Sequence, residues 1–202
     1  MNAETSGVNP QMQPTAATAA HEPTDTELMI QVRNGEIDKL GILFERHHRK
    51  FYAFFVRLTG SPALAEDLVQ EVFVRLLKYR HTFRGGEFTP WVFRLARNAA
   101  ADHYGRRRPE DPLPEDGHEP ASTAPLAPET MVQDQEQALV RVALGRLSPE
   151  KRELLLLARF QLLPYDEIAG LLDTTGGAVK VRVHRALKEL RQAYLGAEKA
   201  PV

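Results

Sequence analysis

The sequence predicts an all-α protein made of two small helical domains. Three observations carry that reading. No segment alternates with period two over the length of a strand. Apolar residues instead return every three or four positions through two blocks, 24–108 and 134–195. Between them, 109–133 holds six prolines, six acidic residues and no Lys or Arg, the composition of a linker rather than of a core element.

In the first block, Asp25 or Thr26 can cap a helix running to about residue 33, and Asn34-Gly35 ends it. A longer helix follows over 37–58 and closes at Thr59-Gly60. Ser61-Pro62 opens the third in the favoured order of cap and then proline at the first helical position. It reaches about residue 79. A loop, 81–89, contains Gly85-Gly86, and Pro90 starts a fourth helix that ends near residue 107.

The second block opens with a helix over 134–147, and Ser148-Pro149 begins another through about residue 162. Pro164 interrupts it. A short helix, 165–172, is followed by the turn Asp173-Thr174-Thr175 and a last helix, 176–195. Short helix, tight turn and longer basic helix form a helix-turn-helix, whose second helix enters the DNA major groove. Ala169 is small where the two helices cross. Thr175 is placed to cap, and Gly176 and Gly177 open the helix toward a partner.

Composition bounds the function. With 202 residues, 43% hydrophobic and a formal net charge of −1, the chain can bury real cores without being broadly basic. The absence of cysteine excludes disulfides, thiolate metal sites and cysteine nucleophiles, and fits a reducing compartment. Residues 1–23 are rich in Ala, Thr, Gln and Pro, with neither a basic start nor a long apolar run. They read as a disordered leader on a cytoplasmic protein, with no membrane insertion.

Charge is nonetheless concentrated. The stretch GGAVKVRVHRALKELR, 176–191, carries six potentially cationic side chains and one acidic one. At about 100° per residue, Val179, Val183, Ala186, Leu187 and Leu190 share an inward arc. Gly177, Val181, His184, Arg185 and Lys188 fall opposite, with Lys180 on a flank. Cations there neutralise phosphates, and Val181, His184 and Arg185 are best placed for base edges.

On the third helix, Leu68, Val69, Val72, Phe73 and Leu76 gather on one side, and Asp67, Gln70, Glu71, Val74 and Lys78 on another. That second face is either a solvated surface or a docking surface, and Val74 among polar neighbours leans toward docking. On the fourth helix an inward stripe of Val92, Leu95, Ala96 and Ala99 backs onto Arg94, Arg97 and Tyr104, with Asn98 beside them. Next to a loop carrying Phe83, Arg84, Phe88 and Trp91, this is the mixture that single-stranded nucleic acid favours, cations for phosphate and rings for unstacked bases. Core packing is the competing role for those rings, and Phe83 is divided evenly between the two.

Glu45 and His48 have the Glu-x-x-His spacing of carboxylate-bridged metal bundles, but only one copy occurs, and His47 and His48 read as surface residues. No phosphate-binding glycine loop or nucleophile elbow is present, so neither a cofactor, a metal nor a catalytic residue is expected.

Three stretches, 58–80 (LTGSPALAEDLVQEVFVRLLKYR), 83–108 (FRGGEFTPWVFRLARNAAADHYGRRR) and 147–191 (LSPEKRELLLLARFQLLPYDEIAGLLDTTGGAVKVRVHRALKELR), together resemble bacterial RNA polymerase sigma factors of the extracytoplasmic-function type. The resemblance implies a four-helix sigma-2-like domain, 24–108, and a sigma-4-like helix-turn-helix domain, 134–195, joined by the acidic linker 109–133 and followed by a tail, 196–202. It implies partners too: core RNA polymerase, through the clamp helices of its largest subunit and its flap, promoter DNA, and an anti-sigma protein. Asp67, Gln70, Glu71 and Val74 would meet the polymerase. Phe83, Arg84, Trp91, Arg94, Arg97 and Asn98 would serve the minus-ten element, where a base leaves the stack. Thr175, Gly177, Lys180, Val181, His184, Arg185 and Lys188 would serve the minus-thirty-five element. A linker of roughly 25 residues spans at most about 80 Å, enough for two DNA turns of about 70 Å in all.

The chain departs from the family pattern in four places. Asp173 stands at a turn position usually held by glycine, Ala178 and Val181 replace common hydroxyl residues, and Leu162 stands where glycine is frequent. Outside this reading, a stand-alone helix-turn-helix regulator and a metal-dependent bundle enzyme using Glu45 and His48 are the alternatives.

Overall fold

The computed structural model describes residues 22–106 and 128–198; most of the expected leader, most of the linker, Arg108 and residues 199–202 of the tail lie outside them. The described residues form α1 Asp25–Asn34, α2 Lys39–Thr59, α3 Pro62–Tyr79, α4 Phe88–Arg106, α5 Pro128–Gly145, α6 Pro149–Leu155, α7 Tyr165–Leu171 and α8 Gly176–Glu198. A 3₁₀ turn, Arg80–Thr82, follows α3, and a π-helical turn, Leu156–Phe160, extends α6. No strand occurs among the described residues.

The local signals act through identifiable hydrogen bonds. α1 is capped by Thr24, one residue before the expected cap. Thr24 Oγ1 accepts from the Glu27 amide and the Glu27 carboxylate accepts from the Thr24 amide, a reciprocal box that Asp25 cannot close. Gly35 ends α1 at φ 113° and Gly60 ends α2 at φ 79°, left-handed positions where a Cβ would be strained. Ser61 Oγ accepts from the Leu64 amide ahead of Pro62. α4 starts at Phe88 and α5 at Pro128, both earlier than the proline and linker signals suggested.

α1 to α4 close around aromatic side chains. Phe51, Phe54, Phe55 and Phe93 are buried, with Phe54 edge-on to Phe55 and to Phe93 at 5.3 Å in each case. The second half closes α5 to α8 around Leu144, Leu154, Leu155, Ile168, Val179 and Val183. The halves also touch, α2 against α6 and the π-helical turn and α4 against α7, so the buried residues form one contiguous cluster.

One expectation about the surface is corrected. His47 is only 8% exposed, its Nε2 lying 2.6 Å from Asp25 Oδ2 and its ring against Phe88. Burial tends to raise the Asp25 pKa, but the hydrogen bonds from Arg46 and His47 hold it below the usual range. His47 therefore pins α1 to α2 instead of facing water.

Candidate nucleic-acid interface

Three surfaces collect the candidate residues. On α3, Asp67, Gln70 and Val74 are exposed, Val74 by 59%. Glu71 is half-buried because Arg75, one turn along, donates from Nε to its Oε1 at 2.6 Å. Arg75 Nη1 also reaches Asp102 Oδ2 on α4 at 2.8 Å, with the Arg75 side chain 11% exposed. Burial would lower the Arg75 pKa, but its carboxylate hydrogen bonds outweigh that and raise it. A single guanidinium thus ties the α3 face to α4.

That link forms one wall of a cavity of about 400 Å³ between α3 and α4. Trp91, Arg94 and Asn98 line it together with Arg75, Tyr79, Thr82, Leu95 and Asp102. Trp91 Nε1 donates to Thr82 Oγ1 at 3.4 Å, orienting the indole at the rim. Cations, an amide and an aromatic edge around one opening suit a phosphate-linked, unstacked base.

Phe83 does not join them. It is 2% exposed, its ring edge-on to Trp91 at 5.1 Å, and its carbonyl accepts from Arg33 Nη1 at 3.0 Å. In this conformation it is a core residue that supports Trp91, while Arg84 beside it is exposed. Arg97 is diverted as well. Its Nε lies 3.0 Å from Glu153 Oε1 on α6, and its Nη1 donates to the Leu171 carbonyl at the end of α7.

The third surface is α8. Thr175 Oγ1 accepts from the Ala178 amide at 3.2 Å, starting the helix. Asp173 adopts φ 48°, the left-handed conformation that the turn needs. Val179, Val183 and Ala186 are buried, whereas Gly177, Lys180, Val181, His184, Arg185 and Lys188 are all exposed in one row. Each side chain of that row is accessible to solvent in this conformation. Lys151 Nζ holds both oxygens of Glu189 at 2.7 Å, bracing α8 against α6 from behind.

Two features escaped the sequence reading. Gly176 reads as an opening toward a partner, yet a Cβ there would lie 2.1 Å from Asp166 Oδ1, so the glycine admits the α7 side chain. Beyond the basic row, Val140, Leu187, Leu190, Tyr194 and Leu195 line an apolar groove between α5 and α8, foreshadowed only by the apolar stripe running on past residue 187. Among the described residues no cluster of three or more His, Asp or Glu side chains could hold a metal ion. His48 directs Nδ1 at the Phe44 carbonyl, 2.9 Å away.

Comparison with known proteins agrees with this layout. The family described as sigma-70 region 2 matches residues 43–110, and that described as sigma-70, region 4 matches 137–190. RNA polymerase sigma factor CarQ of Myxococcus xanthus is 34% identical over 170 residues, 81% of this chain and 94% of that protein. RNA polymerase sigma-H factor of Pseudomonas aeruginosa is 28% identical over 179 residues, 84% of this chain and 93% of its own. Among solved structures, CnrH in complex with the cytosolic domain of CnrY aligns with TM-score 0.65 at 25% identity, covering 87% of this chain and 99% of that one.

Proposed function

The chain belongs to the sigma-70 family of RNA polymerase sigma factors, of the extracytoplasmic-function type, and from that membership we propose how its two halves divide the work. As a sigma factor it binds core RNA polymerase, directs it to promoters and assists strand opening. The division of labour follows from the surfaces. α8, with Lys180, Val181, His184, Arg185 and Lys188 in one exposed row behind the Thr175 cap, reads the minus-thirty-five element as duplex. The exposed row is the observation that carries this assignment.

The cavity bounded by Trp91, Arg94 and Asn98 takes an unstacked base of the minus-ten element, and exposed Arg84 is a further cation for that strand. Extruding a base costs a few kcal/mol, which ring contacts and phosphate neutralisation there can offset. Asp67, Gln70, Glu71 and Val74 form the polymerase-docking face. No catalytic step falls to the chain, which acts in the cytoplasm where the polymerase works. The similar chain CnrH is solved with a second protein, and an anti-sigma protein is the corresponding partner proposed here. A stand-alone regulator would leave the region 2 match unexplained.

Co-purification with core RNA polymerase, followed by transcription from a promoter library, tests the reading. Retention on core enzyme and selection of two-element promoters are expected. Tight sequence-specific duplex binding with no polymerase association would overturn it.

A further inference from the structure

Val181 is 50% exposed in a row otherwise made of cations, a histidine and a glycine. A lone apolar side chain on a surface is ordinary; what marks this one is its place. At about 100° per residue, its chain neighbours Lys180 and Arg182 leave the helix on either side of it, and both are exposed. A helix seated in a major groove about 12 Å wide puts such a pair against the phosphates of the two walls. The side chain between them then faces the floor, where the base edges lie. One turn ahead, Gly177 has no side chain and open space lies where a Cβ would stand, so nothing holds the short valine away from that floor.

The floor offers valine one kind of partner. Every base pair presents donors and acceptors there, and thymine alone adds a methyl group. Against cytosine the valine would bury an amino donor, and against guanine or adenine an acceptor, with nothing in return. A hydroxyl residue, which Val181 replaces, can pair with either kind of edge, a latitude that valine lacks. We propose that Val181 is a specificity-determining residue that selects thymine, through its methyl group, within the upstream duplex element. This rests on the minus-thirty-five role proposed for α8 and names the base that its second turn takes. Arg185 lies four residues on, about 6 Å further along the helix axis, so it serves a neighbouring base pair rather than the same one.

In the test, core RNA polymerase loaded with the full chain first selects its preferred upstream element from a duplex promoter library. Each thymine of that element, on either strand, is then replaced singly by deoxyuridine, which removes the methyl group and keeps every hydrogen-bonding group. Competition binding gives the affinity ratio of thymine to uracil template for the parent, Val181→Ala and Arg185→Ala. A ratio taken within one protein is insensitive to a general loss of folded or polymerase-bound chain.

With the parent, one thymine is expected to lose about fourfold in affinity on removal of its methyl, as for burial of one methyl-sized group, and the others less than about twofold. With Val181→Ala that loss should disappear, and with Arg185→Ala it should persist. An element with no methyl-sensitive thymine overturns the inference. So does a sensitivity that survives Val181→Ala, because the methyl then belongs to another side chain. Either of those results leaves α8 as the upstream reader. If the library returns no upstream preference at all, that reading fails and this inference with it.

Discussion

Arg75 Nη1 lies 2.8 Å from Asp102 Oδ2 while its Nε lies 2.6 Å from Glu71 Oε1, so one side chain joins the exposed α3 face to the wall of the cavity between α3 and α4. A guanidinium can serve both carboxylates because its donors are fixed in a planar fork, which an ammonium lacks. Both carboxylates are partly exposed, which keeps each bond modest; their sum is about 1–2 kcal/mol. Arg75→Ala should therefore lower unfolding free energy by about that amount in urea titrations, and Arg75→Lys should recover half of the loss or less. An Arg75→Ala protein as stable as the parent would show that the bridge does not hold α3 to α4.

Leu162 adopts φ 56° and is 77% exposed, so it bears left-handed strain with little burial in return. A non-glycine residue there costs about 1–2 kcal/mol, and glycine gives back about 0.5–1 kcal/mol through the unfolded chain. Leu162→Gly should thus raise stability by roughly 0.5–1 kcal/mol. A loss of stability in thermal or urea unfolding would mean that the exposed leucine makes contacts worth more than its strain.

Helices and caps were legible where the signal was local. Ser61-Pro62, Asn34-Gly35 and Thr175 each act within four residues, and the inward stripe of α8 is set by helical geometry alone. The resemblance supplied the roles proposed for the surfaces. Illegible were the relations between distant residues: His47 with Asp25, Arg75 with Asp102, Arg97 with Glu153. Each pair depends on how helices are laid side by side, and a histidine or arginine on a polar face looks the same whether it meets water or a carboxylate from elsewhere. Phe83 shows the same limit for rings, because burial and base stacking demand the same residue type.

Glu153 predicts a pH dependence with a definite sign. Burial raises its pKa above the ordinary 4.5, and the attraction of Arg97 only partly offsets this. The folded state therefore binds this proton more tightly than the unfolded state. Its contribution to stability is fully present below about pH 4.5, and declines as pH rises through the elevated folded value. Glu153→Gln removes that decline while keeping an acceptor for Arg97. The variant should gain on the parent as pH rises from 4 to 7 and then level off, whereas Asp25, with a lowered pKa, stabilises both proteins alike at the upper end. A parent that becomes the more stable of the two with rising pH would reverse the assignment, making the Arg97 pair outweigh burial.

The surfaces proposed for promoter DNA and for the polymerase should fail in different ways. Arg185 is exposed in the middle of the α8 row, and Arg185→Ala should weaken binding to the upstream element by about 1–3 kcal/mol if its guanidinium grips a base edge with both arms. Lys180→Ala, if that ammonium meets phosphate, should weaken all sequences about equally and reduce the slope of log affinity against log salt by about 1. Glu71→Lys acts elsewhere. It places a cation beside Arg75 and reverses charge on the docking face, so association with core polymerase should fall while the affinity of the polymerase-free chain for upstream duplex stays unchanged. Measuring the three variants in two assays, core-enzyme retention and duplex titration over a salt series, separates base reading, phosphate contact and docking. If Glu71→Lys and Arg185→Ala produced the same defect in both assays, the surfaces would not be independent, and the division of labour between α3 and α8 would have to be abandoned.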